Sequence, residues 1–158
     1  FDNAAGQKVS NDDVVVENPK ITDLQVKLLN DNIISPDQDI SFEISYDVNE
    51  DIETYIAFSL TDIDRGIWIY NDNSMDNKTS GSGRKTLTYK CSLAHLNNIK
   101  LKLQVSVRDK DDQMIAFADS ENSPVILLNR TDIEDDDKSA KDSATGMVQR
   151  NGKWEIQE

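Results

Sequence analysis

The chain has 158 residues, enough for one well-buried domain and short for two. Its net charge of −13 argues against nucleic acid or an anionic membrane surface as a partner, because both would be repelled. One cysteine, Cys91, excludes an internal disulfide, and no apolar run is long enough to span a bilayer.

Phe1 to Asp13 is polar and carries no period, so it reads as a linker or tether ahead of a domain spanning residues 14–158. The chain starts without a methionine or a signal-like segment, which reads as a fragment of a longer polypeptide. Val14-Val15-Val16 is a short β-prone run ended by Pro19. Ile21 to Leu29 comes next, with Leu24, Val26 and Leu28 on one side. Asp31-Asn32 and Ser35-Pro36-Asp37 supply turn chemistry. Ile40, Phe42, Ile44, Tyr46 and Val48 then alternate with polar residues without a break. That period of two fits a strand with one dry face and does not fit a helix.

Ile56, Phe58 and Leu60 share one face of the next run, Tyr55 to Leu60. Asp62-Ile63-Asp64-Arg65-Gly66 reads as a hairpin loop with Gly66 at positive φ, and Ile67 to Tyr70 as the returning strand. Asn71 to Gly83 reads as a long, mobile polar loop. Leu87, Tyr89 and Cys91 alternate next, which puts Cys91 on an inner face as a small core residue. Ile99, Leu101, Leu103, Val105 and Val107 mark a second unbroken strand. Met114 to Phe117 and Pro124 to Leu128 are shorter runs. Arg130 to Thr145, with the acidic block Glu134 to Asp137, reads as an acidic loop. A last strand is expected from Gly146 through Val148 and Trp154 to Ile156, with a bend at Asn151-Gly152. About nine short strands and no helix, with turn signals between them, predict an all-β chain folded as an antiparallel β-sandwich.

Catalytic signals are weak. His95 is the only histidine and has no cysteine or second histidine nearby in the sequence, so neither a zinc site nor a Ser-His-Asp triad is expected. The carboxylates cluster in turns, where they cap and solvate, and nothing marks two of them as a hydrolytic pair. Asp109 to Asp112 and Glu134 to Asp137 offer oxygen ligands to calcium, but neither matches the EF-hand spacing. No metal or cofactor is therefore expected.

Several weak motifs in order resemble one family. They are the hairpin Tyr55-Ile56-Ala57-Phe58-Ser59-Leu60-Thr61-Asp62, the Gly66 turn and Ile69-Tyr70-Asn71-Asp72-Asn73-Ser74. To these are added Leu96 followed by Ile99-Lys100-Leu101-Lys102-Leu103, and Gly146-Met147-Val148 with Trp154-Glu155. Their order and spacing, from about Val14 to Glu155, resemble the C-terminal domain of Wzt-type ATPase subunits from ABC exporters of bacterial O-antigen polysaccharide. The resemblance implies an immunoglobulin-like β-sandwich that binds carbohydrate without catalysis. It implies capture of the modified non-reducing end of a lipid-linked polysaccharide at the inner face of the bacterial inner membrane. The partners implied are a nucleotide-binding domain on the same polypeptide, a membrane subunit of the transporter, and a second copy in a homodimer. Some members of the family exchange the last strand between subunits, and the stretch Arg130 to Thr145 is long enough to permit that here. This chain itself carries no Gly-x-x-x-x-Gly-Lys-Ser/Thr phosphate loop and so no ATPase of that kind.

Sugars are held by aromatic faces and by planar polar side chains. If Ile67 and Ile69 face the core, Trp68 and Tyr70 face out and form a stacking platform. The alternatives are that both rings point inward, or that they form a dimer interface. On the strand Ile99 to Val107 the outward set contains Lys100, Lys102, Gln104, Ser106 and Arg108. Lys102, Gln104 and Arg108 are candidates for meeting hydroxyls or an acidic group, unless they merely balance nearby Asp and Glu. Ser59 and Tyr55 lie on the outward set of the hairpin, and Arg65 and Asn73 in the loops at either end of the Trp68 strand. Two other readings share the same core: a structural or adhesive immunoglobulin-like module that binds a protein, and a glycan hydrolase.

Overall fold

The computed structural model describes residues 18–130, 137–143 and 146–157. Nine strands run in chain order: β1 (Ile21–Leu28), β2 (Ile33–Ile34), β3 (Asp39–Val48), β4 (Thr54–Asp62), β5 (Ile67–Asn73), β6 (Gly83–Ser92), β7 (Ile99–Asp109), β8 (Met114–Phe117) and β9 (Val125–Leu128). One short helix, α1 (Lys138–Ser143), comes after them. The strands form a three-stranded sheet, β1–β3–β6, and a six-stranded sheet, β2–β9–β7–β4–β5, with β8 also paired to β7. Every pairing is antiparallel except β2 with β9. The result is the expected immunoglobulin-like β-sandwich. Among the described residues no helix is long and apolar enough to cross a membrane.

The two unbroken alternations build the core. Ile40, Phe42, Ile44, Tyr46 and Val48 on β3 and Leu101, Leu103, Val105 and Val107 on β7 are all buried. Burying each such side chain stabilises the fold by about 1.5–3 kcal/mol. An aromatic cluster joins the sheets beside them. The Phe42 and Phe58 rings meet edge to face at 5.0 Å, and Phe58 meets Tyr89 at 4.8 Å. On β1, Asp23 sits at φ 52° within a bulge between Thr22 and Gln25. The bulge restores Ile21 to the buried face alongside Val26.

Three stretches differ from the sequence reading. Asn71 to Gly83 is more ordered than a mobile loop: β5 extends to Asn73, a 3₁₀ turn covers Met75–Asn77, and Thr79 exchanges two backbone hydrogen bonds with Thr54, each 2.9 Å. The acidic loop contains α1, while residues 131–136 and 144–145 lie outside the described set, as do Val14 to Val16 and the tether 1–13. Among the described residues 146–157 the expected last strand is not formed. Only the bridge between Leu96 and Val148 is made, and Trp154 and Ile156 stand 98% and 88% exposed. Val148 is instead clipped down by side-chain amides. Asn97, fully buried, donates from Nδ2 to the carbonyls of Gly146 (2.7 Å) and Val148 (3.0 Å). Gln149 Nε2 donates to the carbonyls of Ala94 (2.8 Å) and Leu96 (2.9 Å).

Candidate functional site

β4 lies between β5 and β7, so its register lines up side chains in rows across three strands. Thr61 stands opposite Trp68 on β5 and Lys102 on β7. Ser59 stands opposite Asn71 and Gln104, and Ala57 opposite Asn73 and Ser106. All of these occupy the alternate positions that face away from the three-stranded sheet. Beyond β7, Val125 extends the Thr61 row and Phe117 the Ala57 row. The outer wall of the six-stranded sheet is therefore a lattice of hydroxyls and amides, with the Trp68 indole, 46% exposed, on its β5 margin. Thr61 Oγ1 donates to Gln104 Oε1 at 3.3 Å, which orients that amide so that its Nε2 donors turn away from Thr61.

The structure brings Trp68, Lys102, Gln104, Ser59 and Asn73 onto this wall and removes two other candidates from it. Tyr70 does not join Trp68. The register shifts by one residue between Leu60 and Thr61, so Ile69 is an extra residue and Tyr70 falls opposite the buried Leu60. Tyr70 stacks on Phe58 at 6.0 Å and its hydroxyl meets that of Tyr89 at 2.5 Å. Tyr89 in turn donates to the Asp72 carboxylate. The expected pair of outward rings is thus a single ring, because strict alternation ignores the bulge. Tyr55 does face outward, but the β7–β8 turn roofs it and leaves it 3% exposed, beyond the reach of a ligand. Its hydroxyl donates to Asp112, and burial together with that bond pushes it up to about 12.

Arg108 keeps its outward place but is held in the same turn by the Asp112 carbonyl (3.2 Å) and carboxylate (3.3 Å). The acidic run there is consumed locally: Asp109 Oδ1 accepts the amides of Asp111 (2.9 Å) and Gln113 (3.0 Å). Arg65 lies off the wall, in the β4–β5 turn, bonded to the buried Asp62 at 2.6 Å. Burial pushes the Asp62 carboxyl up, but the Arg65 guanidinium and the amides of Arg65 and Asp64 outweigh it and hold the group below its ordinary value. Cys91, across from Ile40, is half-buried, and burial pushes its thiol up. Among the described residues no three His, Cys, Asp or Glu side chains are grouped to hold a metal.

The fold is seen elsewhere. The chain is similar in fold to the C-terminal domain of Wzt. The two superpose with a TM-score of 0.53 at 12% identity, over 90% of this chain and 87% of that one. The CARDB domain of PF1109 from Pyrococcus furiosus, in complex with di-metal ions, gives 0.42 at 11% identity, over 74% of this chain and 95% of that one. The alkylpurine DNA glycosylase AlkC of Pseudomonas fluorescens, bound to DNA containing an abasic site analogue, gives 0.43 at 9% identity, over 70% and 30%. No family model matches the chain, and no curated protein matches it. The likeness to the Wzt domain covers both layers of the sandwich and agrees with the family resemblance in the sequence at the level of fold.

Thr61 and Asn71 complete the wall and were not among the sequence candidates. Thr61 could have been found by extending the outward set of β4 by one step. Asn71 could not, since its side is set by the bulge.

Proposed function

We propose that this chain is a non-catalytic carbohydrate-binding module that holds the end of a polysaccharide against the outer wall of the six-stranded sheet. The observation that carries the reading is the wall itself: an exposed indole beside hydroxyl and amide groups fixed on paired strands. A pyranose presents an apolar face to Trp68 and vicinal hydroxyls to Ser59, Asn71, Gln104 and Lys102. Rigid strands keep the ordering cost of binding small.

The finer reading draws on the family resemblance and the fold shared with the Wzt domain. The ligand is the modified non-reducing end of a lipid-linked O-antigen polysaccharide. The domain serves an ABC exporter at the inner face of the bacterial inner membrane, joined to a nucleotide-binding domain and working with a membrane subunit. The functional unit is a homodimer, in which a second copy covers Trp154 and Ile156. Their exposure on an extended segment supports that pairing.

The test is calorimetric titration of the chain with polysaccharide carrying its natural terminus. Trp68→Ala is expected to weaken binding about tenfold or more while leaving the thermal midpoint within a few degrees. A variant that binds as the parent does overturns the placement of the site. A parent that ignores all glycans but captures a protein moves the chain to the adhesive reading.

A further inference from the structure

The charge on this wall is out of keeping with the rest of the molecule. The chain carries 30 Asp and Glu against 17 Lys and Arg. Yet no outward position of β2, β4, β5, β7, β8 or β9 holds an acidic residue, while β7 alone presents Lys100, Lys102 and Arg108 there, the last of them paired with Asp112 of the β7–β8 turn. Asp62, Asp72 and Asp109, the acidic residues of these strands, occupy the alternate positions that face the other way. The outer face of the three-stranded sheet is built differently. Asp39, Glu43 and Asp47 project there beside its cations: Arg84 pairs with Asp23 and Asp47 at 2.9 and 3.3 Å, Lys90 with Asp39 at 3.6 Å, and Lys27 stands across from Glu43 in the register. Lys100 and Lys102 have no carboxylate partner among the described residues.

Carboxylates are strong acceptors for sugar hydroxyls, and this chain has them in abundance. A wall shaped for a neutral glycan has no reason to exclude them. A wall shaped for an acidic glycan does, because a like charge beside the ligand repels it and offsets what a cation gains. We infer that the glycan end bound here bears an acidic group, a carboxylate or a phosphate, received by the Lys102 ammonium while a sugar ring lies on Trp68. The inference rests on the carbohydrate-binding reading and narrows it to a ligand class. Trp68 and Lys102 sit in one row, separated only by Thr61, so their backbones are about 10 Å apart, two strand spacings. A lysine side chain standing off the sheet and leaning toward β4 can close part of that gap, so the acid would sit on the stacked sugar or on its immediate neighbour.

The test uses the full chain and polysaccharide from the source organism in three forms: untreated, carboxyl-reduced, and dephosphorylated with aqueous hydrogen fluoride. One of the two treatments is expected to weaken binding roughly tenfold or more, and which one names the acid. Lys102→Gln is expected to weaken binding of the untreated form to the same degree and to be insensitive to the treatment. Lys102→Arg is expected to retain affinity, which separates the charge from any loss of folding. Raising the salt concentration is expected to reduce the advantage of the untreated form. If both treated forms bind as well as the untreated one, the acid is wrong and the carbohydrate reading stands. If no form binds, both fall.

Discussion

At Asp62 one side chain closes the β4–β5 turn. Its carboxylate accepts the amides of Asp64 (2.9 Å) and Arg65 (3.1 Å) and pairs with the Arg65 guanidinium, while only 1% of it meets solvent. Asp62→Asn is expected to cost about 2 kcal/mol at pH 7, the scale for spoiling charged hydrogen bonds at a buried group. The lowered carboxyl sets the sign of its pH dependence. The stabilisation is whole above the ordinary carboxylate value near 4 and disappears as pH falls through the lower folded value. Urea unfolding of the two proteins should therefore give a gap that closes in acid, and a gap independent of pH would contradict the ion pair. The two rings of β5 separate in the same kind of experiment. Tyr70→Ala should cost about 3 kcal/mol, because it vacates space beside Phe58 and Tyr89, whereas Trp68→Ala, at a side chain 46% exposed, should cost less. Equal losses would mean that the bulge does not divide them.

β7 runs through the middle of the six-stranded sheet, paired by β4 on one side and by β9 and then β8 on the other, and it is the longest of the strands with neighbours on both sides. Its amides at Leu101 to Val107 should exchange with solvent slowest in native-state hydrogen exchange, and those of two-residue β2 among the fastest. If β2 is as protected as β7, the pairing order is wrong. The same contrast sets how far sequence reading reached. β3 and β7 were legible because an unbroken period of two leaves only one face to bury. β1 kept Leu24, Val26 and Leu28 on the core side as read, its bulge adding only Ile21 to them, whereas β5 was legible as a strand but not as a face, since a single inserted residue at Ile69 flips the facing of every later side chain on the strand. That is why Trp68, Lys102, Gln104 and Ser59 were given their outward facing while Tyr70 was misplaced and Asn73, read as loop, was not recognised as the end of β5. Tyr55 was given the right face, but its cover comes from a turn fifty-odd residues away through Asp112, which no local pattern encodes.

At the scale of the molecule the C-terminal segment divides at Gln149. Residues 146–149 are bound to the loop Ala94 to Asn97, whereas 150–157 extend past it with Trp154 and Ile156 bare. Truncation after Gln149 should convert the proposed dimer to a monomer by light scattering, with a thermal midpoint within a few degrees of the parent. A dimer that survives would have to be held elsewhere. Truncation before Gly146 should in addition lower stability by about 1–3 kcal/mol, because it strands the buried Asn97 donors. This division also has a mechanical side. Traction on the final residues would first take up slack, then reach a catch at the amide clasp, where several bonds must yield together. The segment can thus swing or be grasped by another subunit without the strain reaching the sheets.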